Sequence, residues 1–142
     1  MSDPIRDHVE AFLAKLRSDP VFAGKVIDTN DPKDAAPRVP PYIVVYSNIP
    51  TAESDRATGE LPNKLDFQFT VQCAGQDANQ SRAWAGKALL MLTGWRPTVA
   101  GWRPQGVTKR KISIPLQFDK TFTPELVYSV DIYDLTTRKG TP

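Results

Sequence analysis

The chain has 142 residues, enough for one domain with a proper core, and its 40% hydrophobic and 24% charged composition excludes wholesale disorder and fibrous repeats. Its formal charge is only +2, but the charges are uneven: residues 81–120 hold eight Lys and Arg against one Asp, whereas residues 1–80 hold eight basic and twelve acidic residues. A single cysteine, Cys73, and a single histidine, His8, exclude an internal disulfide and the usual zinc ligand set, and no apolar run approaches the roughly 20 residues that span a bilayer.

Asp3 followed by Pro4 reads as an N-cap with proline at the first helical position. Ile5, Val9, Phe12, Leu13 and Leu16 then recur at helical spacing, which predicts a helix to about residue 17 with His8 on its solvated side. A short strand is expected over 25–28, followed by a connection containing Pro32, Pro37, Pro40 and Pro41. Tyr42 to Tyr46 carries apolar residues on both parities, the pattern of a central strand buried on both faces. From Asn48 to Asn63 the composition turns to Pro, Thr, Ser, Asp, Glu and Gly without periodicity, which predicts a long loop.

Leu65, Phe67, Phe69, Val71 and Cys73 alternate with polar residues, the clearest strand signal in the chain. Asp77 and Gln80 then have capping-box spacing, and Trp84, Ala88, Met91, Leu92 and Trp95 form the apolar stripe of a second helix, with Gly94 placed for a left-handed C-cap. Two Trp-Arg-Pro turns (95–97 and 102–104) follow. Ile112 to Phe118 alternates but contains Pro115, which confines it to an edge or an irregular stretch. A last strand is expected from about Leu126, with Tyr128, Val130 and Ile132 on one side and Ser129, Asp131 and Tyr133 on the other. The order predicts a single α+β domain over 1–142: a mixed, mainly antiparallel sheet of four to five strands with two main helices packed on one face.

Catalytic chemistry is not legible. His8 has no second histidine or neighbouring cysteine, Cys73 falls on the apolar parity of its strand, and no phosphate-cradling loop or nucleophile elbow is present. No catalytic residue, metal ligand or cofactor is therefore assigned. Lys109, Arg110 and Lys111, near Arg96, Arg103, Trp95 and Trp102, form the one constellation that could meet nucleic acid; the plainer reading is a solvated turn. The N-terminus carries no signal-peptide pattern, so the product is expected to stay in the cytoplasm where it is made.

Taken in order, the N-terminal helix, Pro-Tyr-Ile-Val-Val-Tyr at 41–46, the strand 65–73, the helix from Asp77 into Gly94-Trp95, and Pro-Glu-Leu-Val-Tyr-Ser-Val-Asp-Ile-Tyr at 124–133 resemble the tail terminator (minor tail, tail completion) proteins of long-tailed bacteriophages, especially those infecting actinobacteria. The resemblance spans nearly the whole chain and carries no active-site motif. It implies a virion structural protein at the tail–neck junction that forms a homo-oligomeric ring, usually a hexamer. Such a ring caps the tail tube protein, ends its polymerisation and offers a docking surface to the head–tail connector protein. Another neck protein, such as a stopper or head completion protein, and a basic nucleic-acid-binding module are the alternatives. Within the 48–63 loop, Glu53, Asp55, Arg56 and Glu60 are the expected interface charges, and Lys109, Arg110 and Lys111 the expected lining of a DNA passage in transient contact with passing DNA.

Overall fold

The computed structural model describes residues 3–29, 39–53, 63–112, 114–119 and 126–140. Helix α1 (Pro4–Arg17) begins where the Asp3 carboxylate accepts the Arg6 amide at 3.2 Å, and Pro4 occupies a position whose missing N–H costs nothing. The helix buries His8, Phe12, Leu13 and Leu16 and leaves Ile5 40% exposed. This corrects the expected stripe. The buried face is turned toward positions 8, 12 and 16, so His8 lies at 0% exposure instead of in solvent.

Eight strand segments form one mixed sheet among the described residues. In chain order they are β1 (Val26–Asp28), β2 (Tyr42–Ser47), β3 (Thr51–Glu53), β4 (Lys64–Gly75), β5 (Trp102–Pro104), β6 (Thr108–Lys109), β7 (Gln117–Asp119) and β8 (Leu126–Lys139), with helix α2 (Ala78–Leu92) between β4 and β5. The sheet order is β1-β2-β4-β8-β5, with β1 parallel to β2 and the other pairs antiparallel. Segments share positions: β2 and β3 both run along one side of β4, and β5, β6 and β7 all pair with the far side of β8. The fold is α+β as expected, with more strand segments than the sequence pattern shows.

Three local expectations change. Thr51–Glu53 lies inside the expected loop yet pairs with Lys64–Asp66 as β3, because the long strand β4 extends beyond the end of β2 and offers a partner. The rest of that loop, 54–62, falls outside the described residues. Of the expected strand from Ile112 to Phe118, the described residues keep only its end, β7 at Gln117–Asp119, as an interrupted edge should; β6 lies before it at Thr108–Lys109. Strand β2 is flanked by β1 and β4, but only one of its faces is fully buried: Ile43 and Val45 are at 0% and 1% exposure, whereas Tyr46 is at 43%.

Both helices lie on the face carrying Leu65, Phe67, Phe69, Val71 and Cys73. Phe12 of α1 stacks on Phe69 at 4.0 Å between ring centroids, and Phe67 lies 5.9 Å from Phe69. Each such buried side chain contributes about 1.5–3 kcal/mol in transfer from water. Asp77 caps α2 by accepting the Gln80 amide at 2.8 Å, the Ser81 hydroxyl donates to the Cys73 carbonyl at 2.8 Å, and Gly94 (φ +80°) turns the chain out of the helix. The opposite face carries Tyr42, Val44 and Tyr46 on β2, Thr70 and Gln72 on β4, and Val130 and Ile132 on β8. No helix covers it among the described residues, and none of these seven positions is charged. At the free edge of the sheet, Arg17 Nη2 donates to the Val26 carbonyl at 3.1 Å.

Candidate functional site

The expected DNA-passage residues sit on and just after β6. Lys109 lies opposite Tyr133, and its Nζ is 3.3 Å from an Asp131 carboxylate oxygen. Arg110 grips Asp134 with a two-pronged contact, Nε and Nη2 each at 2.9 Å, and reaches the Gln68 Oε1 at 3.0 Å. A guanidinium fork on a carboxylate is the strongest common arrangement of such a pair. Two of the three cations are thus matched by acids supplied from β8, and Lys111 alone stands exposed without an ion pair among the described residues. Asn48, Ile49, Asp66, Gln68, Arg110 and Asp134 border a shallow cavity of about 210 Å³ here.

Of the expected interface charges, Glu53 is the last residue of β3 and lies opposite Lys64 in the register. Asp55, Arg56 and Glu60 fall outside the described residues. β3 and the start of β4 therefore bring Glu53 to the end of the hairpin from which the 54–62 segment departs.

His8 and Cys73 are held apart in separate apolar settings. The imidazole stacks on Phe67 at 5.0 Å, meets the edge of Trp102 at 5.7 Å, and hydrogen-bonds through Nδ1 to the Pro4 carbonyl (2.5 Å) and through Nε2 with the Thr137 hydroxyl (3.1 Å). Burial holds it below the ordinary histidine value, with the Pro4 carbonyl and the nearby Asp7 charge working in the other direction. It is a neutral core residue wedged between helix and sheet. Burial pushes the Cys73 thiol up to about 12, so it is not a thiolate nucleophile. The buried Tyr133 hydroxyl has no hydrogen-bond partner among the described residues, and burial raises its pKa as well.

A basic cluster that no linear motif announces lies at the β5 end of the sheet. Arg103 on β5 is paired in register with Arg138 on β8, and Arg138 with Lys64 on β4, so three cations share one row across neighbouring strands. Beside that row, the 96–99 segment and β5 border a cavity of about 300 Å³; the second Trp-Arg-Pro, expected as a turn, is the strand β5, because it pairs with Thr137–Lys139 of β8. Only the register joins these residues. The repeated Trp-Arg-Pro was the sole hint in the sequence.

No family model matches the chain, and no curated protein matches it. A chain in the solved structure of the virion of a native gene transfer agent (GTA) particle is similar in fold, with a TM-score of 0.59 and 15% sequence identity, over 92% of this chain and 93% of that one.

Proposed function

We propose that this chain is a virion structural protein of the tail terminator type, which assembles as a ring on the end of a tail tube, stops tube growth and presents a surface to the head–tail connector. The observation that carries this reading is the fold likeness to a chain of a gene transfer agent particle along nearly the full length of both chains. It agrees with the resemblance carried by the ordered motifs from the N-terminal helix to residues 124–133.

The surface chemistry supports an assembly role over catalysis. The lone histidine and lone cysteine are buried and employed in packing, and the ion pairs at Lys109–Asp131 and Arg110–Asp134 occupy charges that could otherwise act on a substrate. The uncharged, half-exposed middle of the open sheet face, around Val44, Thr70, Val130 and Ile132, is the kind of surface that a neighbouring subunit covers. The hairpin end at Glu53, continuing through Asp55, Arg56 and Glu60, is the surface proposed to select the tail tube by charge.

The test is mass measurement and negative-stain microscopy of the purified protein, alone and mixed with polymerising tail tube protein. Closed rings that sit on tube ends and shorten the length distribution are expected. Rings that bind a head connector but ignore tube ends would instead mark a stopper or completion protein, and a monomer that binds duplex DNA tightly would sink the assembly reading. Replacing 54–62 by a Gly-rich turn should leave the subunit folded while weakening attachment to tubes. Unchanged attachment would remove the hairpin end from the interface.

A further inference from the structure

We propose that the outer side of α2 is a pairing surface for a second copy of this chain, laid against the acidic outer side of that copy's α1. Both helices cover the same face of the sheet, so each copy offers one of each surface to a copy turned over onto it. The inference needs only that copies of this chain meet, and does not rest on the tail reading.

The outward positions of the two helices differ in kind. Along α1 and its cap they are Asp3, Arg6, Glu10, Ala14 and Arg17, mostly charged and all exposed. Along α2 the positions 79, 83, 86 and 90 form one ridge, at i, i+4, i+7 and i+11, and carry Asn, Ala, Gly and Leu. Leu90 on this ridge is 85% exposed. At Gly86 an added Cβ would meet nothing within 4 Å, so the subunit itself makes no demand for glycine there. A glycine inside a helix is less stable than an alanine, and what it permits is the close approach of another backbone.

Charge decides the occupant. No Asp or Glu occurs from residue 78 to residue 118, and Arg82, exposed on one flank of the ridge, makes no ion pair or hydrogen bond among the described residues. Lys87, on the other flank, is held by Asp19 at 3.1 Å. On α1 and its cap the balance is reversed, with Asp3, Asp7 and Glu10 against Arg6 over the first two turns. Glu10 meets Arg6 only at 3.8 Å, with the two side chains 66% and 64% exposed. An exposed pair of this kind holds its members weakly and leaves Glu10 available to a stronger contact. A twofold axis between two helix layers sets each α2 on the other copy's α1 and matches the charges on both sides at once. A membrane is disfavoured as the occupant, because the ridge presents a single large apolar side chain. The open face of the sheet lies on the opposite side and stays free for other contacts.

The experiment is native mass spectrometry and sedimentation of the full chain across a range of concentrations. An even number of copies is expected, two for the free subunit or twice the ring number where rings form, and Leu90→Ser should halve it. Gly86→Met should halve it as well while leaving the melting temperature unchanged or higher, a combination that a purely structural role for Gly86 would not give. Arg82→Glu and Glu10→Arg should each weaken pairing by about tenfold or more, the scale of a lost charge-assisted contact. Mixing those two variants, or combining both changes in one chain, should restore it. A wild-type chain that is monomeric throughout, or single variants that pair as the wild type does, overturns the proposal. A mixture that stays apart removes α1 as the opposing surface and overturns it too. Unchanged mass in Leu90→Ser with loss of attachment to tubes gives the ridge to the tail tube protein instead. The tail-terminator reading fails separately, on rings that ignore tube ends.

Discussion

The two faces of the sheet differ in composition and in cover: along β4 one presents Leu65, Phe67, Phe69, Val71 and Cys73, the other Lys64, Asp66, Gln68, Thr70 and Gln72. On one, Phe67, Phe69, Val71, Tyr133 and Leu135 are sealed at 0–2% exposure beneath α1 and α2. On the other, Val44, Val130 and Ile132 are only half-buried and Tyr46 is 43% exposed. An ordinary solvated sheet face would alternate charges with hydroxyls. Here Lys64, Asp66, Arg110, Asp134 and Arg138 gather at one end and Asp119 lies near Tyr42 at the other, while the middle, from Val44 and Tyr46 to Thr70, Val130 and Ile132, is neutral. The comparison teaches that one face holds the subunit together and that the described residues leave the other only half-covered.

The largest effect should come from the sealed face. Phe69→Ala removes the ring stacked on Phe12 and is expected to cost about 3–5 kcal/mol in urea unfolding, enough to unfold a marginal domain. A loss below about 1 kcal/mol would mean that the site collapses freely and that the aromatic stack is not a stability element.

A smaller and pH-dependent loss is expected at His8. Its folded-state pKa lies below the ordinary 6.5, so the unfolded chain binds the proton more readily. Its contribution is therefore complete above about pH 6.5 and is lost as pH falls from there toward the folded value. Of the groups described against the ring, Asp7 is the charged one, and Phe67, Trp102 and Thr137 offer no countercharge to an imidazolium. The melting temperature should fall between pH 8 and pH 5, and His8→Gln should be less stable at pH 8 but flatter across the range. A wild-type profile with no slope in that window would contradict the buried neutral imidazole.

The finest test uses one substitution on both faces. Val71→Thr places a hydroxyl in the sealed core and should cost about 1–3 kcal/mol, whereas Val44→Thr on the open face should change subunit stability by less than about 0.5 kcal/mol. Equal costs would show that the open face is already covered within the subunit. If Val44→Thr spares the monomer but weakens rings, the face is an intersubunit surface.

Much of this was legible from local pattern. The 65–73 alternation, both N-caps and the Gly94 stop appear where the spacing placed them, because each depends on a few neighbouring residues. The misreadings share a non-local cause. Locally, Ile5 and Val9 draw the apolar stripe to their side and leave His8 facing solvent; the spacing 8, 12, 16 is present too, but only Phe67, Trp102 and Thr137, from three separate strands, make the pocket that accepts a neutral imidazole. Thr51–Glu53 has no strand signature and becomes one by pairing with the overhang of β4. The partners of Lys109 and Arg110 come from β8, and the row Lys64–Arg138–Arg103 exists only through the register of three strands.

The sheet's two borders bear on how such a subunit can multiply. β1 is three residues long, and the Arg17 guanidinium occupies the Val26 carbonyl that a visiting strand would use. The far border is broken into β5, β6 and β7, with Pro104 inside β5 and Pro115 between β6 and β7. Neither border offers a continuous row of donors and acceptors, so copies cannot zip edge to edge into an endless ribbon. Growth by strand addition is closed off at both sides, and any assembly must be completed through faces and corners, whose geometry can come back on itself and stop.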